Sequence, residues 1–387
     1  MNILHIISSL SARTGGPAKA VLEVSQALSE QQQKITIFST EDRFRQFKGI
    51  DEFQRQGIEI RLFESFGRYC YAPLLRNELE RRINTFDVVH IHGLWTYPTW
   101  AASQVSFKHR IPYVIRPCGM LDRYCLSHHE IRKKIYYECV EHQNLKRAAA
   151  IHFTSEAERE RSLYPVDVPT AILPLGINLN DYILPPSGRF KKRYPQLKDK
   201  RIILFLGRVN FKKGLDLLIQ AFNEIVQKIP SAHCVIAGPD DEGYGKKLRN
   251  LIEQKKVQGH ITFVDFVDEK DKLELLGDSE IFCLPSRQEN FGIAMIEAMA
   301  AGLPVVISDQ VNLSHEIKLA GAGLITSLDS KELTSVLLEL LNNDQLRTSM
   351  IQNGKAFVKE NYQWQSVAQK WLETYETLTD SKELSPV

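Results

Sequence analysis

The chain has 387 residues, 43% hydrophobic and 25% charged, with a formal net charge of +2. That length exceeds one ordinary hydrophobic core and predicts two domains, and the composition excludes a disordered chain. The near-neutral balance gives no electrostatic case for nucleic acid as the main partner.

In chain order, "NILHII" predicts a first strand and residues 17–31 a helix, followed by "KITIFST" and a helix-like segment over 74–83. "DVVHIHG" and "PYVIRP" follow as strands, then a long helix over 127–147 and the strand "AIHFTS". This βα alternation predicts a parallel sheet covered by helices on both faces. The N-terminus lacks the basic n-region of a signal peptide. No apolar run approaches the ~18 residues of a spanning helix, so a cytoplasmic protein is expected. Six cysteines form no C-x-x-C pair and are expected to be reduced thiols.

A stretch rich in Pro, Gly, Asn and Lys interrupts the pattern, and residues 176–198 are expected to be a linker between domains 1–175 and 199–363. The grammar then restarts with "RIILFLGR", a helix over 214–227, "HCVIAG", a helix over 246–254, "ITFVDFV", "EIFCLPS", an apolar helix and "PVVISD". Near the end, Trp364, Val367, Trp371 and Leu378 recur at helical spacing, which predicts that 364–380 dock as a helix on the first domain. The expected fold is α/β, two doubly wound Rossmann-like domains facing across a cleft, with ligands at the strands' carboxyl ends.

Those strand-end loops carry the candidate chemistry. Gly15 and Gly16 precede Pro17 at a helix start, a pattern that suits either a phosphate site or a plain tight turn. Arg208 ends the first strand of the second half, and Lys212 and Lys213 precede Gly214 at the next helix; a guanidinium fork and an ammonium there suit phosphate oxygens. In "SRQENFGIAMIEAMAAGLPVVISD", Glu289 and Glu297 stand eight positions apart, with Asn290 to Gly292 expected to open the helix. Glu289 suits the hydroxyls of a hexose. Glu297, expected about two turns along, suits a ribose diol or else a buried ion pair.

Two other chemistries fit poorly. The pairs "GYG" and "GAG" do not continue to G-x-G-x-x-G, which argues against a nicotinamide dehydrogenase. Two carboxylates also suggest a glycosidase, but a fully helical spacing would set their backbones ~12 Å apart, against the ~5–10 Å that such a pair needs. No D-x-D occurs, so no metal-held diphosphate is indicated and no metal or other cofactor is expected. The leaving group would be neutralised by Arg208, Lys213 and helix N-termini.

The E-x7-E pair in "ENFGIAMIEAMAAGLPVV", the "GR...KKG" segment, Gly15–Gly16 and "PLGIN" together resemble family 4 of the retaining glycosyltransferases, of GT-B fold, over essentially the whole chain. "HIHGLW", "RPCGML" and "LKRAAAIHFTSEAE" resemble its bacterial branch that builds exported polysaccharides. The resemblance implies that Glu289 holds the donor sugar beside Asn290, Phe291, Gly292 and Ile293, and that Glu297 binds the ribose. It also implies that Arg208 and Lys213 clamp the diphosphate with Gly16 and Gly15, and that Val267 lies near the base. His92 would face the donor hexose or the acceptor, with His90 as support. The sequence departs from the family at Cys118, where many relatives carry His or Arg, and at Asp265, where Gly is usual. A front-face mechanism is implied, in which the departing phosphate takes the acceptor's proton and Glu289 positions the sugar.

The expected donor is a UDP-hexose, UDP-glucose first, and the expected acceptor a saccharide or lipid-linked oligosaccharide. Ile131, Ile135 and Cys139 lie at i+4 spacing among Arg132, Lys133, Lys134, Lys146 and Arg147, which suits either peripheral contact with anionic membrane or an ordinary surface helix. The rival functions are a GT-B nucleotide-sugar epimerase and a non-catalytic nucleotide-sugar-binding homologue.

Overall fold

A computed structural model describes residues 1–11, 16–41, 50–127, 130–163, 167–240 and 243–383. The chain forms two compact units, residues 1–176 with 364–387, and residues 177–363.

In the first unit, β1 (Asn2–Ile7), β2 (Lys34–Thr40), β3 (Glu59–Phe63), β4 (Val88–His92), β5 (Tyr113–Arg116), β6 (Ala150–Phe153) and β7 (Thr170–Ile172) form one sheet in the order β3-β2-β1-β4-β5-β6-β7. All pairings are parallel, because crossover connections return the chain to the same end of the sheet before each strand. Strand order reverses between β1 and β4, the position where open α/β sheets bind ligands.

The helix Trp364–Glu383 belongs to this unit. Trp371 and Tyr375 are fully buried, and Trp371 Nε1 donates to the Pro174 carbonyl at 3.2 Å. Gly176 makes room for Trp364: a Cβ there would lie 2.5 Å from the indole.

In the second unit, β8 (Arg201–Leu206), β9 (Ala232–Ala237), β10 (Ile261–Val264), β11 (Ile281–Leu284), β12 (Val305–Ser308) and β13 (Gly323–Thr326) form a parallel sheet in the order β10-β9-β8-β11-β12-β13. Here the reversal falls between β8 and β11. The strands are nearly continuous buried apolar runs, as sheets covered on both faces require.

Three differences from the sequence expectations have physical causes. β3 and β7 are short edge strands with exposed or charged positions, and β13 is similarly short, so none shows a strong apolar run. The helix Tyr97–Lys108 is buried on several sides and lacks a clear amphipathic stripe. The expected linker packs onto the second unit: Gly188 and Lys191 amides donate to Asp278, and Arg193 pairs with Asp271 and Glu274 at 2.7 Å each.

Two laced loops form a candidate donor site

β8 and β11 are hydrogen-bonded neighbours, so the loops at their carboxyl ends lie side by side. The first loop closes through a 3-10 turn, Phe211–Lys213, into the helix Leu215–Lys228. Gly214 stands at φ +65, and a Cβ there would meet the Pro285 carbonyl oxygen of the second loop at 1.9 Å. Only glycine permits that approach.

Side chains fasten the two loops. Arg287 forks onto Asp216 with two 2.7 Å hydrogen bonds and covers the Phe211 ring at 4.2 Å. Its amide donates to the Lys212 carbonyl at 2.6 Å, and Lys212 Nζ donates to Gln288 at 3.2 Å. The ammonium of Lys213 pairs with the carboxylate of Glu289, both side chains partly buried. Arg208 at the end of β8 is exposed. The loops thus bring Arg208, Lys213 and Glu289 to one strand-end region, although Lys213 already holds a carboxylate partner.

Glu289 is fixed by its backbone as well. It forms a parallel bridge to Val311, and its carbonyl accepts from Asn312 N at 3.1 Å. Asn290, Phe291 and Gly292 therefore do not open the helix as expected; they form the connector before it, and Gly292 caps it in the left-handed region. The helix runs Ile293–Ala301, which places Glu297 about one turn in rather than two.

Glu297 is 4% exposed and accepts from Tyr182 Oη at 2.8 Å and from Lys272 Nζ at 3.0 Å. The second carboxylate is thus part of a buried ion pair, and a ribose diol would have to share it with Lys272. Val267 sits partly buried between β10 and the helix Glu269–Asp278.

Sequence reasoning missed Arg287, which ties the two loops together, and Tyr182 and Lys272, which hold Glu297 from distant segments. It also missed Asn210 and Ser286, one on each loop, whose Oδ1 and Oγ are buried without a partner. Arg287 lies two residues before Glu289 and was the one with a local signal.

In the first unit, Gly16 begins the helix Gly16–Glu30, while Gly15 lies outside the described residues. His92 ends β4 but is only 2% exposed, because alternate residues of β4 share a covered face. Its Nε2 lies 2.9 Å from His5 Nδ1, and its ring stacks on His90 at 4.4 Å. His90 lies 2.6 Å from Tyr375 Oη and 3.2 Å from His152, whose Nε2 reaches the Leu173 carbonyl at 2.6 Å. That carbonyl can only accept, so the protons order themselves: His152 Nε2–H to Leu173, His90 Nε2–H to His152, Tyr375 O–H to His90. Burial, and then neighbouring imidazoles, hold the His90 pKa well below its usual value; burial and His5 do the same for His92.

Comparison with known proteins fits this geometry. A profile described as "Glycosyl transferases group 1" matches residues 187–357, and a "Glycosyl transferase 4-like domain" profile matches 15–176. A phosphatidyl-myo-inositol mannosyltransferase of Mycobacterium leprae is 32% identical over 380 residues, covering 95% of this chain and 94% of that protein. A GDP-mannose:cellobiosyl-diphosphopolyprenol alpha-mannosyltransferase of Xanthomonas oryzae is 22% identical, covering 97% and 96%. The structure of Anabaena HepE with UDP and glucose superposes at a TM-score of 0.79 with 18% identity, covering 97% of this chain and 99% of that one. The protein is a glycosyltransferase. It belongs to glycosyltransferase family 4 and has the GT-B fold.

Proposed function

We propose that the protein is a retaining hexosyltransferase. It moves a hexose, glucose from UDP-glucose first, onto a saccharide or lipid-linked oligosaccharide in the building of exported polysaccharide. The observation that carries the proposal is the pair of laced loops at the β8/β11 reversal, which gathers Arg208, Lys213 and Glu289. HepE is named as binding UDP and glucose, and the Xanthomonas relative as acting on a diphosphopolyprenol acceptor.

In this account Arg208 and Lys213 neutralise the diphosphate as it leaves. Charge that develops only in the transition state is where such groups lower the barrier. Lys213 exchanges part of its bond to Glu289 for the phosphate, which frees a Glu289 oxygen to accept from a sugar hydroxyl. The Asn290, Phe291, Gly292 and Ile293 backbone lines the donor beside it, Val267 lies near the base, and Glu297 receives the ribose while Lys272 holds its other contacts. His92 serves the hexose or the acceptor. No metal is required, so chelation leaves turnover unchanged.

Peripheral contact with anionic membrane is part of the same proposal. Ile131 and Ile135 project from the helix Glu130–Tyr136 at 76% and 60% exposure, with Arg132 and Lys134 exposed beside them. A 2.7 Å bond from Tyr136 Oη to Tyr69 Oη ties this helix to a bridge segment exposing Phe66, Tyr69 and Tyr71. Apolar and basic groups together suit a lipid headgroup region.

The relatives favour one second donor, GDP-mannose, since two of them are named mannosyltransferases. A screen of UDP- and GDP-sugars for nucleotide release, with a lipid-linked saccharide acceptor, tests the proposal. UDP release from UDP-glucose supports it, and GDP release from GDP-mannose moves the donor but keeps the reaction. An isomeric UDP-sugar formed without acceptor identifies an epimerase. No release with any donor identifies a binding protein.

A further inference from the structure

The reversal between β1 and β4 carries a second group of side chains, of which only His92 has a role in the proposed transfer. Register pairs His5 with His90 and His92 with Arg116, and alternation puts His90 and His92 on the same side, so all four share one face of the sheet. Arg116 is 3% exposed, yet its Nε and Nη1 have no hydrogen-bond partner, and among the described residues it forms no ion pair. His5 Nε2 and His92 Nδ1 are likewise buried and unpartnered.

The chain Tyr375–His90–His152–Leu173 satisfies every group in it. The pair His5–His92 cannot: two neutral imidazoles sharing one hydrogen bond leave one N–H and one lone pair over, whichever ring donates. Beside them stands a buried guanidinium with free donors, and an uncompensated buried cation is among the costlier features a fold can carry. The group that completes this set accepts from Arg116 and one imidazole N–H, is negatively charged, and keeps one O–H for the other imidazole.

We propose that His5, His92 and Arg116 form an oxyanion site for a phosphate group, inorganic or esterified, at the carboxyl ends of β1, β4 and β5. One nitrogen from each of His5, His90 and His92 lies within 4.8 Å of the other two, a spacing that also suits a metal. Arg116 adds positive charge beside them, and His5 and His92 already spend one nitrogen each on their mutual bond, so an anion fits and a cation does not. The site names the acceptor of the proposed transferase as one carrying a phosphate. It rests on that reading for the word acceptor alone.

The test uses the full chain in phosphate-free Hepes–chloride, saturated with UDP to occupy the donor loops. Inorganic phosphate and phenyl phosphate are titrated while the melting temperature and binding heat are followed. The wild type gains several degrees with either probe. Arg116→Met, which removes the unpaired cation, melts no lower than wild type without phosphate and binds both probes at least tenfold more weakly. Arg116→Lys keeps the charge and retains part of the response, which preserves the test should Arg116→Met fail to fold. Absence of a phosphate response in the wild type, or an equal response in both variants, overturns the site. So does a stoichiometric cobalt(II) spectrum at these histidines. Binding of inorganic phosphate but not phenyl phosphate overturns the acceptor assignment. Because the readout is binding, nucleotide release from sugar donors stays a separate test of the transferase.

Discussion

Acid should unfold the first unit through its buried histidines, and the size of the effect follows from their environment. Burial, followed by the field of Arg116, lowers the pKa of His5 from 6.5 to about 3, and the same two causes lower His152 to about 3. His90 and His92 shift in the same direction. A folded pKa below the unfolded one means that only the unfolded chain takes up the proton between the two values. The stability contributed is full above pH 6.5 and is lost as the pH falls through that window toward 3. From pH 6.5 to 5, each such histidine removes about 1.6 kcal/mol, because the slope approaches ~1.4 kcal/mol per pH unit. His5 and His152 together remove about 3 kcal/mol, and His90 and His92 add to it, against a typical domain stability of about 5–15 kcal/mol. Trp371 stacks on His90 at 5.0 Å and meets His152 edge-on at 4.6 Å, so its fluorescence reports on this site directly. Urea titrations at pH 7, 6, 5.5 and 5 should show stability falling steeply below pH 6.5. His152→Gln should reduce the slope by about 1.4 kcal/mol per pH unit. A Trp371 transition whose midpoint stays level from pH 7 to 5, or an unchanged slope in His152→Gln, would mean that these histidines do not couple folding to protonation.

Other outcomes follow from the second unit and the exposed helix. Gly214→Ala should cost at least about 2 kcal/mol, from a left-handed residue forced against the Pro285 carbonyl, and should weaken UDP binding measured by calorimetry. Lys272→Met removes the cation paired with the buried Glu297 carboxylate and should cost about 3–5 kcal/mol. Glu297→Gln should cost less, because Lys272 keeps Glu269 at 2.6 Å, and should raise the donor KM more than it lowers kcat; denaturation curves and steady-state kinetics check both. Ile131→Ser with Ile135→Ser should abolish sedimentation with anionic liposomes at low salt while leaving the melting temperature within a degree or two, since neither side chain is buried.

The parallel strands and their alternation with helices were legible because buried β8, β9 and β11 are unbroken apolar runs flanked by turn residues. The strand-end placement of Glu289, Arg208 and Lys213 was legible because each follows closely on an apolar strand run. The lacing of the loops was not. Gly214 against Pro285, and Arg287 on Asp216, join segments about seventy residues apart, and no local pattern encodes such pairings. Glu297 shows the same limit, since its partners Tyr182 and Lys272 lie 115 and 25 residues before it in sequence. His92 drew notice at its strand end, but its burial arises from His5, His90 and the C-terminal helix, which meet only once the sheet forms.

In the proposed reaction the loop cations stabilise a departing nucleoside diphosphate. The most direct test of this role measures, for wild type and Arg208→Ala, both kcat with the preferred sugar donor and the Kd of the free nucleoside diphosphate. In the variant kcat should fall at least a hundredfold while the Kd rises less than tenfold, because the charge that Arg208 meets develops in the transition state. Equal losses in kcat and affinity, or an unchanged kcat, would contradict it.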